Sequence, residues 1–297
     1  MIIGVPGTYT NLKYSPFIDV LSEELGIQTR KVDKIDEDII VKGSEKAPDE
    51  ACLPVKVILG EIERLSEECD YICLPRVLKT EYGGSLCPKM AGIADMTDCK
   101  SLVFNREITP GNLKRLCRTL KRELKKTGAG RAKVKKAVRT AAEAQQETAS
   151  GFNELKSPAV YIAGHSYNLR NTYSNMDIRE KLEAYGITVT DGSEIPRSGW
   201  SSLLYNRAML KRPYWDCAEE IIGKTLFLIE GRRIDGIIYL SSFNCGIDSI
   251  VINQIEDIAG DIPFAVIRMD ETRASAGLET RPQALFQVLQ MLLSHPS

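Results

Sequence analysis

Histidine is nearly absent: His165 and His295 are the only two in 297 residues. So few imidazoles leave little from which to build a histidine-rich zinc site or a histidine-based triad. No Cys-x-x-Cys pair occurs either, which excludes zinc ribbons and ferredoxin-type cluster runs. No apolar run approaches the roughly 18–20 residues that span a bilayer, so no membrane association is expected. The opening Met1-Ile2-Ile3-Gly4-Val5 has no basic lead or cleavage site and reads as a short strand, not a signal peptide. The expected location is the cytoplasm, where cysteines are reduced, buried or metal-bound more often than bridged.

Nucleotide-binding loops are missing as well. Gly223-Lys224-Thr225 imitates the end of a phosphate-binding loop, but Ala218 stands where the first glycine belongs, and the run falls in or beside a helix. Gly4-Val5-Pro6-Gly7 follows a strand without the G-x-G-x-x-G spacing of a dinucleotide site. The chain is therefore not expected to hydrolyse ATP itself.

What is present is an ordinary globular composition, 43% apolar and 27% charged, with a net charge of −1 that does not mark a nucleic-acid binder. The length suggests two domains. Strand-like runs at Ile2–Val5, Ile27–Val32, Tyr71–Leu74 and Asp98–Asn105 alternate with helical patterns at Ser15–Leu25 and Leu53–Glu67. The alternation restarts after Pro158. Strands are expected at Ala159–Ala163, Ile187–Thr190, Gly236–Leu240 and Pro263–Arg268. Helices are expected at Met176–Tyr185, Tyr214–Leu228, Asp248–Ala259 and Pro282–Ser294. This rhythm predicts an α/β fold of two parallel-sheet units, residues 1–108 and 157–297, joined by a helical segment, 109–156. Ligands would sit at the carboxyl ends of the strands, in a crevice between the units.

The stretch Gly111–Asn153 has no strand signal and should be one or two long helices. Within it, Lys114–Arg139 carries twelve Lys or Arg against one acid, Glu123. It reads either as a solvated helical face or as a docking surface for an acidic partner or cofactor phosphates. Nucleic acid fits it poorly, because no aromatic side chain is interleaved for base stacking.

Of the eight cysteines, three share a setting. Cys52 opens Cys-Leu-Pro-Val-Lys, Cys87 opens Cys-Pro-Lys-Met, and Cys245 opens Cys-Gly-Ile-Asp-Ser after a strand. Each stands where a helix can begin, and free N–H groups there shift a thiol toward thiolate. Proline one or two residues later suits a first helical turn. Three such thiolates converging could hold an iron–sulfur cluster with one iron left open. For Cys69, Cys73, Cys99, Cys117 and Cys217 a structural role is the simpler reading, with Cys73 facing a core. His165, in Gly164-His165-Ser166-Tyr167, ends a strand, where it serves either a site or local hydrogen bonding.

Five short stretches in order carry a resemblance that runs nearly end to end. They are Cys52–Lys56 with Gly60, Cys87–Met96, Gly164–Tyr167, Phe243–Ser249, and Asp270-Glu271-Thr272 with Gly277–Arg281. In these the chain resembles the 2-hydroxyacyl-CoA dehydratase superfamily, in particular the small acyl-CoA dehydratase activase-related proteins, or CoA protein activases. The resemblance implies two flavodoxin-like (Rossmann-like) units and a 4Fe-4S cluster held by Cys52, Cys87 and Cys245, with a double-cubane cluster as the variant related members use. It also implies an electron from a separate ATP-hydrolysing activator. In the dehydratases that electron makes a ketyl radical from an acyl-CoA thioester and so permits loss of an unreactive hydroxyl. On this reading the chain is a dehydratase-like lyase or a component of an ATP-dependent reductase, acting with the activator and with a paralogous subunit or a second copy. The alternative is a non-catalytic scaffold or regulator that binds the activator or a paralogous subunit. Ser166 and Ile247 stand where the resemblance would have proline, the chain is short for a dehydratase subunit, and no residue maps to a CoA-binding role.

Overall fold

The structure, a computed structural model, describes residues 1–10, 15–76, 79, 84–104, 113–124, 130–145, 152–206 and 213–271. The chain divides into two compact units, Met1–Thr148 and Ala149–Ser297. The predicted helix Pro282–Ser294, the Gly277–Arg281 stretch, Thr272, His295 and Lys125 and Lys126 lie outside the described residues.

The first unit runs β1 (Ile2–Gly4), α1 (Gly7–Thr10), α2 (Ser15–Leu25), β2 (Gln28–Arg30), α3 (Glu37–Lys46), α4 (Leu53–Ser66), β3 (Tyr71–Pro75), α5 (Pro88–Ala91), β4 (Ser101–Phe104), α6 (Leu113–Leu124) and α7 (Arg131–Ala144). Its four strands pair in parallel in the order β2-β1-β3-β4. Gly26 ends α2 in the left-handed region, with the Ile27 N–H donating to the Ser22 carbonyl at 2.9 Å. That closure is what a glycine after a helix provides.

The basic helices belong to this unit's core. Val134, Ala137, Val138, Ala141 and Ala142 of α7 pack with Phe17, Ile18, Leu21 and Leu25 of α2. The Lys133 Nζ donates to the Leu25 carbonyl at 3.0 Å. Cys73 packs against the same cluster, and burial pushes its thiol up to about 12, as befits a small core side chain.

The second unit runs β5 (Ala159–Gly164), α8 (Ser166–Leu169), α9 (Thr172–Asn175), α10 (Ile178–Ala184), β6 (Thr188–Thr190), α11 (Arg197–Asn206), α12 (Asp216–Glu230), β7 (Gly236–Ser242), α13 (Gly246–Ala259) and β8 (Phe264–Met269). Its order, β6-β5-β7-β8, repeats that of the first unit, again all parallel. Every residue of β5 and β7 is buried, as expected of central parallel strands covered on both faces. The fold is thus α/β with two parallel-sheet units.

Local differences from the sequence reading have physical causes. The helix expected from Met176 begins at Ile178, because Met176 and Asp177 adopt left-handed φ values of 56° and 52°. Gly223-Lys224-Thr225 lies inside α12, where the Thr225 hydroxyl donates to the Ile221 carbonyl at 2.8 Å. Gly223 supports the Trp200 ring, which an added Cβ would meet at 2.2 Å. Among the described residues no helix is long and apolar enough to cross a membrane.

Candidate functional site

In a sheet ordered β6-β5-β7-β8 the chain leaves β5 toward one edge and later returns to place β7 on its other side. The carboxyl ends of β5 and β7 therefore flank the point where strand order reverses, the usual place for a ligand in an open α/β sheet. His165 follows β5 and Cys245 follows β7 by three residues. Gly164, at φ +147°, lies so close to β7 that a Cβ would meet the Leu240 carbonyl oxygen at 2.7 Å. Asn244 turns the chain with φ 62° and delivers Cys245 to the N-cap of α13. Asparagine tolerates that conformation better than most side chains.

The His165 Nε2 lies 3.0 Å from the Asp248 Oδ1 and 3.7 Å from the Cys245 Sγ. These ligand atoms of His165, Cys245 and Asp248 all fall within 4.8 Å of one another, a group that could hold a metal ion. His165 is 3% exposed and Asp248 is fully buried. The Asp248 carboxylate accepts from the Tyr239 hydroxyl at 2.7 Å, the Ser241 hydroxyl at 3.0 Å and the Ser242 N–H at 3.1 Å. Tyr167 stacks on the imidazole with ring centroids 4.8 Å apart and planes 20° apart.

Burial favours the neutral forms here, yet the charges settle otherwise. Burial would raise the Asp248 carboxyl, but the facing imidazole and the bonds from His165, Tyr239 and Ser242 hold it below the usual range. Burial would lower His165, but its Tyr167 and Asp248 neighbours outweigh that and hold it well above the usual range. Tyr239 is pushed up, first by burial and then by the Asp248 charge.

The first unit holds the other two motif cysteines. Cys52 is buried at the N-cap of α4, with Pro54 in the first turn. Cys87 is the N-cap of α5, followed directly by Pro88. The Lys89 Nζ donates to the Glu50 carbonyl at 2.9 Å and so ties the Cys87 helix to the chain just before Cys52. The sequence leads one to expect a helix after each cysteine, and one is present. However, α5 is a single turn continued by a 3-10 turn at Ile93–Asp95, so little dipole acts on Cys87. Cys245 belongs to the second unit. None of the eight cysteines is in a disulfide.

Sequence reasoning missed Asp248, Tyr239 and Ser241 as site residues. An acid in the first turn of a helix reads as a partner of the helix dipole, and Tyr239 reads as one member of an apolar strand. Cys217, assigned a structural role, stands in the first turn of α12.

Fold and site together define an α/β protein of two parallel sheets with motif cysteines at helix starts. The family model described as CoA enzyme activase uncharacterised domain (DUF2229) matches residues 2–193, well over half of the chain. The chain belongs to this family. The match spans Cys52, Cys87 and His165 and stops before Cys245 and Asp248. No curated protein matches the chain.

Proposed function

We propose that this chain is a cytoplasmic iron–sulfur protein that holds a 4Fe-4S cluster on Cys52, Cys87 and Cys245. It takes low-potential electrons from a separate ATP-hydrolysing activator and acts on a CoA thioester. One observation carries the reading: each motif cysteine is an unbridged thiol immediately before a helix, and Lys89 draws the Cys87 and Cys52 segments together. The donor set fits the group, because soft thiolates select iron–sulfur clusters and three of them leave one iron open. When bound, such a cluster supplies a one-electron donor and a Lewis-acidic iron. The protein's own part is to hold the three sulfurs and to place the first turns of α4 and α13 against their negative charge.

Anaerobic purification followed by iron and sulfide analysis tests this. The expected content is about four irons and four sulfides per chain, as in one cubane. Cys52→Ser, Cys87→Ser and Cys245→Ser should each lose most of the iron, while Cys99→Ser keeps it. A stable, colourless wild-type protein would sink the cluster and favour the scaffold reading.

Membership of an activase family supports a partner that couples ATP hydrolysis to reduction, and the exposed face of α6 and α7 is the proposed docking surface. Arg118, Arg131 and Lys135 are exposed there, while Val134, Ala137 and Val138 turn inward. Reversing Arg118, Arg131 and Lys135 to Glu should leave folding and iron content unchanged. Activator-dependent reduction should slow by about tenfold at low salt, and the wild-type rate should fall as salt screens the attraction. Reduction of the triple variant at the wild-type rate would show the stretch to be a solvated face only.

A further inference from the structure

We infer that His165 is a positioning residue that donates an N–H···S hydrogen bond to Cys245, aimed by Asp248, and is not itself a ligand. The inference rests on the cluster reading for its redox consequence, but the hydrogen bond itself does not.

The same ring nitrogen faces both neighbours: Nε2 lies 3.0 Å from the Asp248 Oδ1 and 3.7 Å from the Cys245 Sγ. A relay of the nucleophile–imidazole–carboxylate kind needs the two partners on different ring nitrogens. That arrangement is absent here, so Cys245 is not set up as a hydrolytic nucleophile. A carboxylate oxygen at 3.0 Å calls for a proton on Nε2, and that proton is present whether the ring is neutral or charged. A nitrogen carrying a proton has no lone pair to offer a metal. It can share the proton with the sulfur 3.7 Å away.

Asp248 is no better placed to be a ligand. Its Oδ1 accepts from the Tyr239 hydroxyl and lies 3.0 Å from the His165 Nε2, and its Oδ2 accepts from the Ser241 hydroxyl and the Ser242 N–H. Three accepted hydrogen bonds and the imidazole contact occupy the carboxylate, and a metal ion would have to displace one of them in a fully buried place. All three donors come from β7, the strand that leads to Cys245. Aspartate, imidazole and thiol are therefore referenced to one strand end. Tyr167 stacks on the ring, and Asn168 ties α8 to β7 by donating to the Leu240 carbonyl and accepting from the Ser242 hydroxyl. Outer-shell donors of this kind set the charge on a ligand sulfur and hence the potential of what it binds.

With only two histidines in the chain, imidazole NMR on iron-free, 15N-histidine-labelled protein reads the bond directly. His165 should show a slowly exchanging proton on Nε2, in the imidazolium as in the neutral ring. That proton should shift in Cys245→Ala and exchange quickly in Asp248→Asn. An Nδ1–H tautomer, or a resonance indifferent to Cys245→Ala, would overturn the inference whatever the iron content. In iron-loaded protein, His165→Ala should retain wild-type iron but shift the reduction equilibrium about tenfold toward the oxidised state, about 59 mV for one electron. His165→Gln, which keeps an N–H within similar reach, should recover part of that shift. Loss of iron from His165→Ala would make His165 a ligand and end the proposal, as would an unmoved potential. Wild-type protein without iron but with the NMR signature would remove the cluster reading and leave the hydrogen bond standing.

Discussion

The first unit should lose about 3 kcal/mol of stability as the pH rises from about 4.5 to above 7, and Glu61→Gln should abolish that dependence. Glu61 is 1% exposed on α4, and its carboxylate caps the turn after β1, accepting from the Gly7 N–H at 2.9 Å and the Thr8 N–H at 3.1 Å. Burial raises its carboxyl from 4.5 to about 7, against the bonds from Thr8 and Gly7 that favour the charged form. Between those two values the folded unit binds a proton that the unfolded chain has released. Stability is thus full below about 4.5, falls through the window, and is flat above about 7. At roughly 1.4 kcal/mol per pH unit the gap is worth about 3 kcal/mol. Amide exchange of Gly7, Thr8 and α4, corrected for intrinsic rates, reads the effect. Equal slopes in wild type and Glu61→Gln would show that the carboxyl is not the titrating group.

Glu61 also shows where sequence reading stops. Its position in α4 is visible, since Val57, Ile58, Ile62 and Leu65 recur at helical spacing, but nothing local says that its carboxylate reaches the turn after β1. Strands β1, β3, β5 and β7 were legible because their runs are apolar and bounded by glycine, proline and acids. Helices α3 and α11 were not. α3 buries only Ile39, Ile40 and Gly43, and its clearest mark is the Asp36 side chain accepting from the Ile39 N–H at 3.1 Å. α11 opens Arg-Ser-Gly-Trp, where Ser198 and Gly199 are poor helix formers, and its order comes from Trp200 packing over Gly223 and from Arg197 pairing with Glu219 at 3.0 Å.

At the site the same division holds. The helix starts at Cys52, Cys87 and Cys245 were legible because a cysteine followed within two residues by proline or glycine is a local pattern. The partnership of His165 with Cys245 is made by strand order between residues 80 apart. Asp248, three residues past Cys245, resembles an ordinary first-turn acid until its three donors and its His165 partner are counted. Burial converts that residue from a dipole partner into the anchor of the site.

The largest single-residue effect on the cysteine-bearing helices is expected at Gly60. Helices α3 and α4 touch backbone to backbone: a Cβ on Gly60 would lie 1.9 Å from the Ile39 carbonyl oxygen, and one on Gly43 would lie 1.7 Å from that of Lys56. Glycine inside a helix costs about 1 kcal/mol relative to alanine, so Gly60→Ala would be stabilising if propensity decided the outcome. Here the obstacle is a backbone oxygen, which cannot swing aside as a long side chain can, so α3 and α4 must separate and strip contacts from Ile39, whose side chain also lies against Gly60. Gly60→Ala should therefore destabilise the first unit by about 3 kcal/mol or more, at the upper end of what overpacking costs. Gly43→Ala should do likewise, and the double variant should fall short of the sum, since one separation of the helices relieves both clashes. Gly130→Ala, where an added Cβ meets nothing within 4 Å, should stay within about 1 kcal/mol of wild type. Urea unfolding followed by circular dichroism, with amide exchange over α4, measures all four variants. Because α4 begins at Cys52, the separation should also be felt there: the buried thiol should alkylate faster in Gly60→Ala than in wild type. A Gly60→Ala protein as stable as wild type would mean that the two helices yield without cost, and the close crossing would then not be what holds Cys52 in place.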